Sequence, residues 1–417
     1  MANVNNYETV GESKIGELLV RSDLTYLDEN EANLIVQRSQ KRQFSQQQSY
    51  SQEKIVIINL NTGNDFVSFT DSSLKFKLDL SKASGATLPV AATFGAGSIL
   101  NLIENIKIVS RSGVVLTEIS ALNLWNYYNL KMSHTYEWRS QQAGKLLLGS
   151  GGEGGSSAIV SGKEWVIPLN VLCPFFDMTT LAPAALSRGL RIELTLASVS
   201  SAFKDTVGVD AVASYTVSDI ELILDTYRLS SGAVDSLNQV AATSGMVMTF
   251  HDVDNSPFDK NAGPTSFSGE VRQTVSMANL ACACVRLTVN TTGLAADSFA
   301  SIGVADNQTY QFRIGSVYLP QERVEGEKQY YDEMTYATSK QKYGRELGIR
   351  AAEFSGNNLA IADMNRYWTS NTGVAINSST TLNLQMGGLP SAQHSVDLFL
   401  KHTRSINIFL ENIVVRE

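Results

Sequence analysis

Ser218-Asp219-Ile220-Glu221-Leu222-Ile223-Leu224-Asp225 and Arg404-Ser405-Ile406-Asn407-Ile408-Phe409-Leu410-Glu411 decide the reading of this chain, because they describe one strand twice. In each, apolar residues alternate (Ile220, Leu222, Leu224; Ile406, Ile408, Leu410) and an acid closes the run. Successive side chains of a strand point to opposite faces, so this pattern predicts a strand with one face on a core. Further pairs fall in the same order. Residues 190–196 and 396–400 alternate ahead of the two endings. Residues 105–109 and 312–317 each lead into a turn and then an aromatic, helix-capable stretch. One stretch holds Tyr127, Tyr128 and Met132, the other Tyr330, Tyr331 and Met334. The chain reads as one β-domain repeated.

Its 417 residues suffice for two or three domains, each with its own core. A composition of 43% hydrophobic and 18% charged residues excludes global disorder. No run approaches the roughly 20 apolar residues of a membrane span. The opening Met1-Ala2-Asn3-Val4-Asn5-Asn6 has neither a basic segment nor an apolar core, so no secretory signal is expected. Three cysteines (Cys173, Cys282, Cys284) cannot all pair within one chain, and buried free thiols in a reducing compartment are expected. The sequons at Asn290, Asn307 and Asn377 are then read as unmodified. A net charge of −8 argues against coating nucleic acid through the whole surface.

Residues 1–50 read as an N-terminal arm outside any core, with a short helix over residues 29–38 capped by Asp28. Arg38, Lys41 and Arg42 form its only basic cluster, read as solvated in preference to a phosphate contact. Residues 51–230 read as the first β-domain, with strands over 54–60, 66–80, 103–109, 114–119 and 164–169 before the two closing strands. Ser110-Arg111-Ser112-Gly113 marks a hairpin, and Gly149–Gly155 a flexible loop. Residues 231–245, with no sustained apolar face, read as a linker. The second β-domain, 246–417, has strands expected over 246–250, 271–275, 282–289, 310–318, 381–386, 396–400 and 406–415. Asn255-Ser256-Pro257 is expected to be a break. Many short strands with long loops predict an all-β chain of two tandem eight-stranded jelly rolls, with short helices in the loops.

Catalysis leaves a constellation of residues, and none is found. The four histidines (His134, His251, His394, His402) are scattered. His251-Asp252-Val253-Asp254 lacks the ligand spacing of zinc or calcium sites and is expected to be a polar loop. Cys282-Ala283-Cys284 lacks the spacer of a redox pair, so core packing is expected. Ser187 has no nucleophile-elbow context, and no phosphate-binding loop is present. No catalytic, cofactor-binding or metal residue is therefore assigned, and no cofactor or small-molecule substrate is expected. Trp125, Tyr127 and Tyr128 are read as packing residues; a sugar platform formed by them, with a glycosidase pair among the acids, is the alternative.

The paired endings, Phe312-Arg313-Ile314-Gly315-Ser316-Val317-Tyr318-Leu319-Pro320, and Pro174-Phe175-Phe176-Asp177 followed by Leu186-Ser187-Arg188-Gly189 carry a resemblance. In order and spacing the chain resembles the double jelly-roll major capsid proteins of tailless icosahedral double-stranded DNA viruses, of the polinton-like virus and virophage type. The resemblance implies a non-enzymatic virion protein, assembled inside the host cell and not secreted. It implies a homotrimer whose six jelly rolls form a pseudo-hexagonal capsomer, with lateral contacts between trimers and with penton and minor capsid proteins. The arm would lie inside the shell, toward an internal membrane or the genome. A carbohydrate-binding protein or glycan-processing hydrolase on a tandem jelly-roll fold is the alternative.

Overall fold

A computed structural model describes residues 35–82, 92–94, 98–135, 137–139, 159, 161–178, 180–205, 211–271, 273–291, 293–339, 349, 351–366, 373–377, 379–409 and 413–416. The first half contains β1 (Ile35–Phe44), β2 (Ser49–Ser51), β3 (Ile55–Asn59), β4 (Phe66–Lys82), β5 (Ile103–Val109), β6 (Val115–Ile119), β7 (Lys163–Pro168), β8 (Arg191–Leu196) and β9 (Val212–Leu229). The second contains β10 (Met246–Lys260), β11 (Phe267–Val271), β12 (Val275–Leu287), β13 (Thr309–Ile314), β14 (Val317–Glu325), β15 (Ala360–Asp363), β16 (Val374–Ile376), β17 (Leu382–Gly387), β18 (His394–Ile408) and β19 (Ile413–Arg416). Three longer helices are α1 (Leu122–Ser133), α2 (Ser231–Thr243) and α3 (Gly326–Ser339).

The strands pair antiparallel in four sheets: β1-β9-β4-β7 and β3-β8-β5-β6 in the first half, β10-β18-β12-β15 and β11-β17-β13-β14 in the second. With the short β2, β16 and β19 set aside, each half has eight principal strands. One sheet takes them in the order first, eighth, third, sixth; the other in the order second, seventh, fourth, fifth. Two such sheets face to face are a jelly roll, and both halves have the same topology. Sequence alternation builds each sheet. On β4, Leu74, Phe76, Leu78 and Leu80 turn into the core while Lys75, Lys77 and Asp79 face out. On β9, Ile220, Leu222 and Leu224 do the same.

Several expectations need correction. Ile35–Phe44, assigned to the arm and in part to a helix, is the first strand of the first jelly roll. Its backbone pairs with the closing strand from Ile35↔Leu229 to Phe44↔Glu221, which outweighs the helix-compatible polar composition. The expected helix over residues 29–34 lies outside the described residues. Residues 396–400 are not a separate strand but part of β18, which also holds Ile406 and Ile408; the counterpart of β8 is β17. Asn255-Ser256-Pro257 does not break β10, because β10 is an edge strand that pairs with β18 on one side, and an edge position is where a strand tolerates proline. His251–Asp254 is accordingly strand, not loop. The strand expected over 310–318 is the hairpin β13–β14, turning at Gly315 with φ +57°. The linker is helical: Ala233, Leu237 and Ala241 make a buried i, i+4, i+8 stripe in α2, of which Ala233 and Leu237 pack with Phe66, Leu181 and Tyr227. Leu410 lies outside the described residues.

Ile408 is fully buried on β18. Ile408→Ala is expected to cost about 2–5 kcal/mol, the usual range for truncating a core isoleucine. A urea midpoint unchanged from the parent chain would contradict the strand phase assigned here.

Candidate assembly surfaces

The two jelly rolls meet along a seam built around α1, which lies between the fifth and sixth strands of the first half. Ala121, at φ 51°, ends the approach from β6, and its N–H donates to Asn105 Oδ1 at 3.0 Å. From Leu122 to Tyr128 every residue of the helix is buried. One side packs on β5 and on the turn Ile99–Leu102. The other side meets the second half. Trp125 packs on Phe399 of β18 with ring centroids 5.6 Å apart, and Tyr127 stacks on Phe299 at 5.7 Å. Tyr128 Oη donates to the Phe299 carbonyl at 2.8 Å and accepts from the Cys284 thiol at 2.9 Å. Tyr127 Oη and Lys131 Nζ both donate to Asn357 Oδ1. Buried aromatic side chains of this size each remove about 150–250 Å² from water, on the order of 4–6 kcal/mol of transfer free energy before ordering costs. Apolar packing therefore dominates the seam.

A polar clamp lies beside it. Thr117 Oγ1 of β6 donates to Asp252 Oδ1 at 2.5 Å. Arg404 Nη1 donates to Asp252 Oδ2 at 2.8 Å and to the Leu116 carbonyl at 3.2 Å. Burial pushes the Asp252 carboxyl above the usual carboxylate range, against the opposing pull of Thr117 and Arg404. A third contact is the edge-to-face pair Phe175–Phe250 at 4.9 Å, which joins the turn Pro174–Phe176 to β10.

The other sequence-selected residues do not converge. His134, at the end of α1, stacks on Trp138 at 4.0 Å. His251 stands on β10, and His394 and His402 on β18. His402 approaches the Asp254 carboxylate at 3.1 Å. No group of three or more metal-ligating residues occurs among the described residues. Cys282 and Cys284 are buried free thiols, and burial pushes Cys284 up to about 12. Ser187 is buried and shares a hydrogen bond with Thr62 at 2.9 Å. Trp125, Tyr127 and Tyr128 are too deeply buried to stack on a sugar. Arg38, Lys41 and Arg42 stand in β1, paired with Asp225 (2.6 Å), Asp65 (2.6 Å) and Glu221 (3.4 Å). The Gly149–Gly155 loop lies outside the described residues.

The outer faces of the two equivalent sheets differ. In the second half, Phe399, which Trp125 covers, has Cys282 beside it in register and Ile361 beyond, and all three are buried. In the equivalent sheet of the first half, Glu221 is flanked in register by Phe44 and Lys75; Glu221 itself is buried, but the face is charged and in part exposed. Phe44 is 67% exposed there, at a cleft of about 370 Å³ lined also by Lys77 and Glu164. This difference was legible in the sequence: Ala281-Cys282-Ala283-Cys284-Val285 is continuously apolar, the signature of a strand covered on both faces. Alternating Leu74 to Leu80 signals a strand covered on one.

No family model matches the chain, and no curated protein matches it. Solved structures do. The Faustovirus major capsid protein is 9% identical with a TM-score of 0.60, over 96% of this chain and 98% of that one. The PBCV-1 virus capsid is 10% identical with a TM-score of 0.59, over 91% and 96%. The Sputnik virophage structure is 10% identical with a TM-score of 0.53, over 96% and 91%. At such identities the likeness is one of fold, and it spans nearly the whole of each chain. The chain has the double jelly-roll fold of these viral capsid proteins.

Two outcomes follow from the seam. The thiols of the folded protein are expected not to react with a disulfide reagent at pH 8, all three becoming reactive in denaturant; rapid native labelling of Cys282 or Cys284 would contradict their burial under α1. Asp252→Ala, which strands Arg404, is expected to lower stability by about 3–5 kcal/mol in urea titration. An unshifted midpoint would remove the clamp from the account.

Proposed function

We propose that this chain is a major capsid subunit, forming homotrimers whose six jelly rolls make a pseudo-hexagonal capsomer that tiles an icosahedral shell. The observation that carries the reading is the repeated eight-strand topology joined by a buried aromatic seam, in a fold shared end to end with viral capsid proteins. Two nearly equivalent rolls per chain, taken three times, give near-sixfold edges that extend across a shell through similar contacts. The work of such a protein is assembly. Trimerisation buries an obligate interface, and the weaker contacts between trimers allow misplaced units to leave before closure. Penton and minor capsid proteins would occupy the remaining positions of the shell. The aromatic residues that a sugar-binding alternative requires are committed to packing between the rolls, which favours a structural role over a glycan-directed one.

The arm of this proposal is residues 1–34, shorter than the sequence alone suggests, because Ile35–Phe44 belongs to the sheet. Removal of residues 1–34 is expected to leave the trimer intact and to impair shell formation; loss of the trimer would contradict the arm assignment.

The reading is tested by light scattering of the purified chain with negative-stain electron microscopy of the same sample. Particles of three times the chain mass with hexagonal outlines are expected. A monomer at every accessible concentration, with no such outlines, would overturn it.

A further inference from the structure

One end of the second roll closes over two buried bases. β10 ends at Lys260, β18 begins at His394 and β12 ends at Leu287, and the three share the last rung of the ladder, His394 lying between the other two. Lys260 is 3% exposed and His394 fully buried. Lys260 Nζ donates to the carbonyls of Pro390 and Ala392 at 2.9 Å each and of Asn261 at 3.3 Å. Pro390 and Ala392 lie between β17 and β18, and Asn261 opens the connection from β10 to β11. The same connections bond across this end. Gly263 N–H donates to the Ser391 carbonyl at 2.7 Å, Leu389 N–H to Thr265 at 2.9 Å, and Thr288 N–H to Gln393 at 3.2 Å. Residues 261–266 and 390–393 are themselves exposed, so the cover over both bases is a pair of loops.

We propose that Lys260 and His394 form an acid-sensitive latch, which keeps this end closed while His394 is neutral and releases the two loops when the ring takes up a proton.

The charge around the pair leaves no room for a second cation. No acidic side chain pairs with Lys260 among the described residues; its ammonium is held by backbone carbonyls alone. On the strand of His394, Asp397 points to the opposite face and binds Arg286 at 2.6 Å. Asp259, the neighbour of Lys260 on β10, is exposed. In the facing sheet Gly269 and Val271 of β11 and Leu382, Leu384 and Met386 of β17 turn inward, while Glu270 is exposed. Residues 261–266, 388–393 and 288–291 include no titratable side chain. Neither ring nitrogen of His394 makes a hydrogen bond among the described residues, and the Ala392 carbonyl, which attracts the ring, already accepts from Lys260. Burial first, and then the Lys260 charge, hold the ring below the ordinary histidine range. A proton on His394 therefore sets two cations side by side, away from solvent and with no carboxylate facing either. The opened end lets the ring ionise in water, so the open form takes up a proton that the closed form resists. The closed form is favoured above about pH 6.5, the usual histidine value, and is lost progressively below it. The latch needs only the folded chain and is independent of the trimer reading.

Two exchange measurements on the intact protein test it. Hydrogen exchange at carbon 2 of the histidine rings, followed by mass spectrometry across a pH series, is expected to give His394 a pKa below that of an unperturbed histidine; an ordinary or raised value would overturn the latch. Amide exchange is then compared at about pH 7.5 and about pH 5, either side of the histidine value, with each rate corrected for its intrinsic pH dependence. Relative to β4 of the first roll, peptides containing Gly263, Thr288 and Leu389 are expected to lose about tenfold or more of their protection at the lower pH. In His394→Asn, whose side chain stays neutral, that loss is expected to disappear. A wild-type protein that shows no such loss, or a His394→Asn variant that shows the same loss, would overturn the proposal. Should His394→Asn not fold, Lys260→Met removes the neighbouring charge and is expected to shrink the loss; an undiminished loss in that variant would count equally against the latch.

Discussion

The packing of Trp125, Tyr127 and Tyr128 against the second half's sheet is the contact on which the rest of this structure depends. Without it the chain would be two jelly rolls on a tether, and the angle between them would be free. With it, the aromatic rings fill the space between the rolls, and Asn357, Cys284 and the Phe299 carbonyl pair with the Tyr127 and Tyr128 hydroxyls that burial would otherwise strand. The Thr117–Asp252–Arg404 clamp adds direction to a contact that is otherwise only apolar. In the proposed capsomer a fixed angle would matter, because an error of a few degrees within each chain would accumulate around the ring.

The same seam explains why two sheets of the same topology differ in surface chemistry. β12 is covered twice, by its own roll and by α1, and so carries alanines, cysteines and valine without interruption. β4 is covered once and alternates leucine with lysine. The difference follows from which neighbour each sheet has within the chain.

Much of the fold could be read from the sequence, and the failures have identifiable causes. Period-2 alternation located β4, β5, β8 and β9, and the paired aromatic stretches correctly marked α1 and α3 as equivalents. β1 was missed because its residues Gln37 to Gln43 are polar on both faces: the edge position leaves one face to ion pairs with Asp225 and Glu221, so no alternation appears. α2 was missed because alanines at 233 and 241 provide most of its buried stripe, and alanine carries little hydrophobic signal. Pro257 suggested a break because a proline in an interior strand would be one, and sequence does not tell edge from interior. At the candidate surfaces, the burial of Trp125, Tyr127 and Tyr128 was anticipated, but its location between the rolls was not. That depends on contacts between residues more than 150 positions apart in the chain, such as Tyr128 with Cys284.

Hydrogen exchange of the intact protein, followed by mass spectrometry, measures the central contact most directly. If α1 is wedged between the rolls, its amides from Leu124 to Lys131 exchange only as slowly as those of β12 and β18, since all open together. Exchange of α1 that runs orders of magnitude ahead of both strands, while those strands stay protected, would contradict the account: the rolls would then be separately stable and joined only loosely.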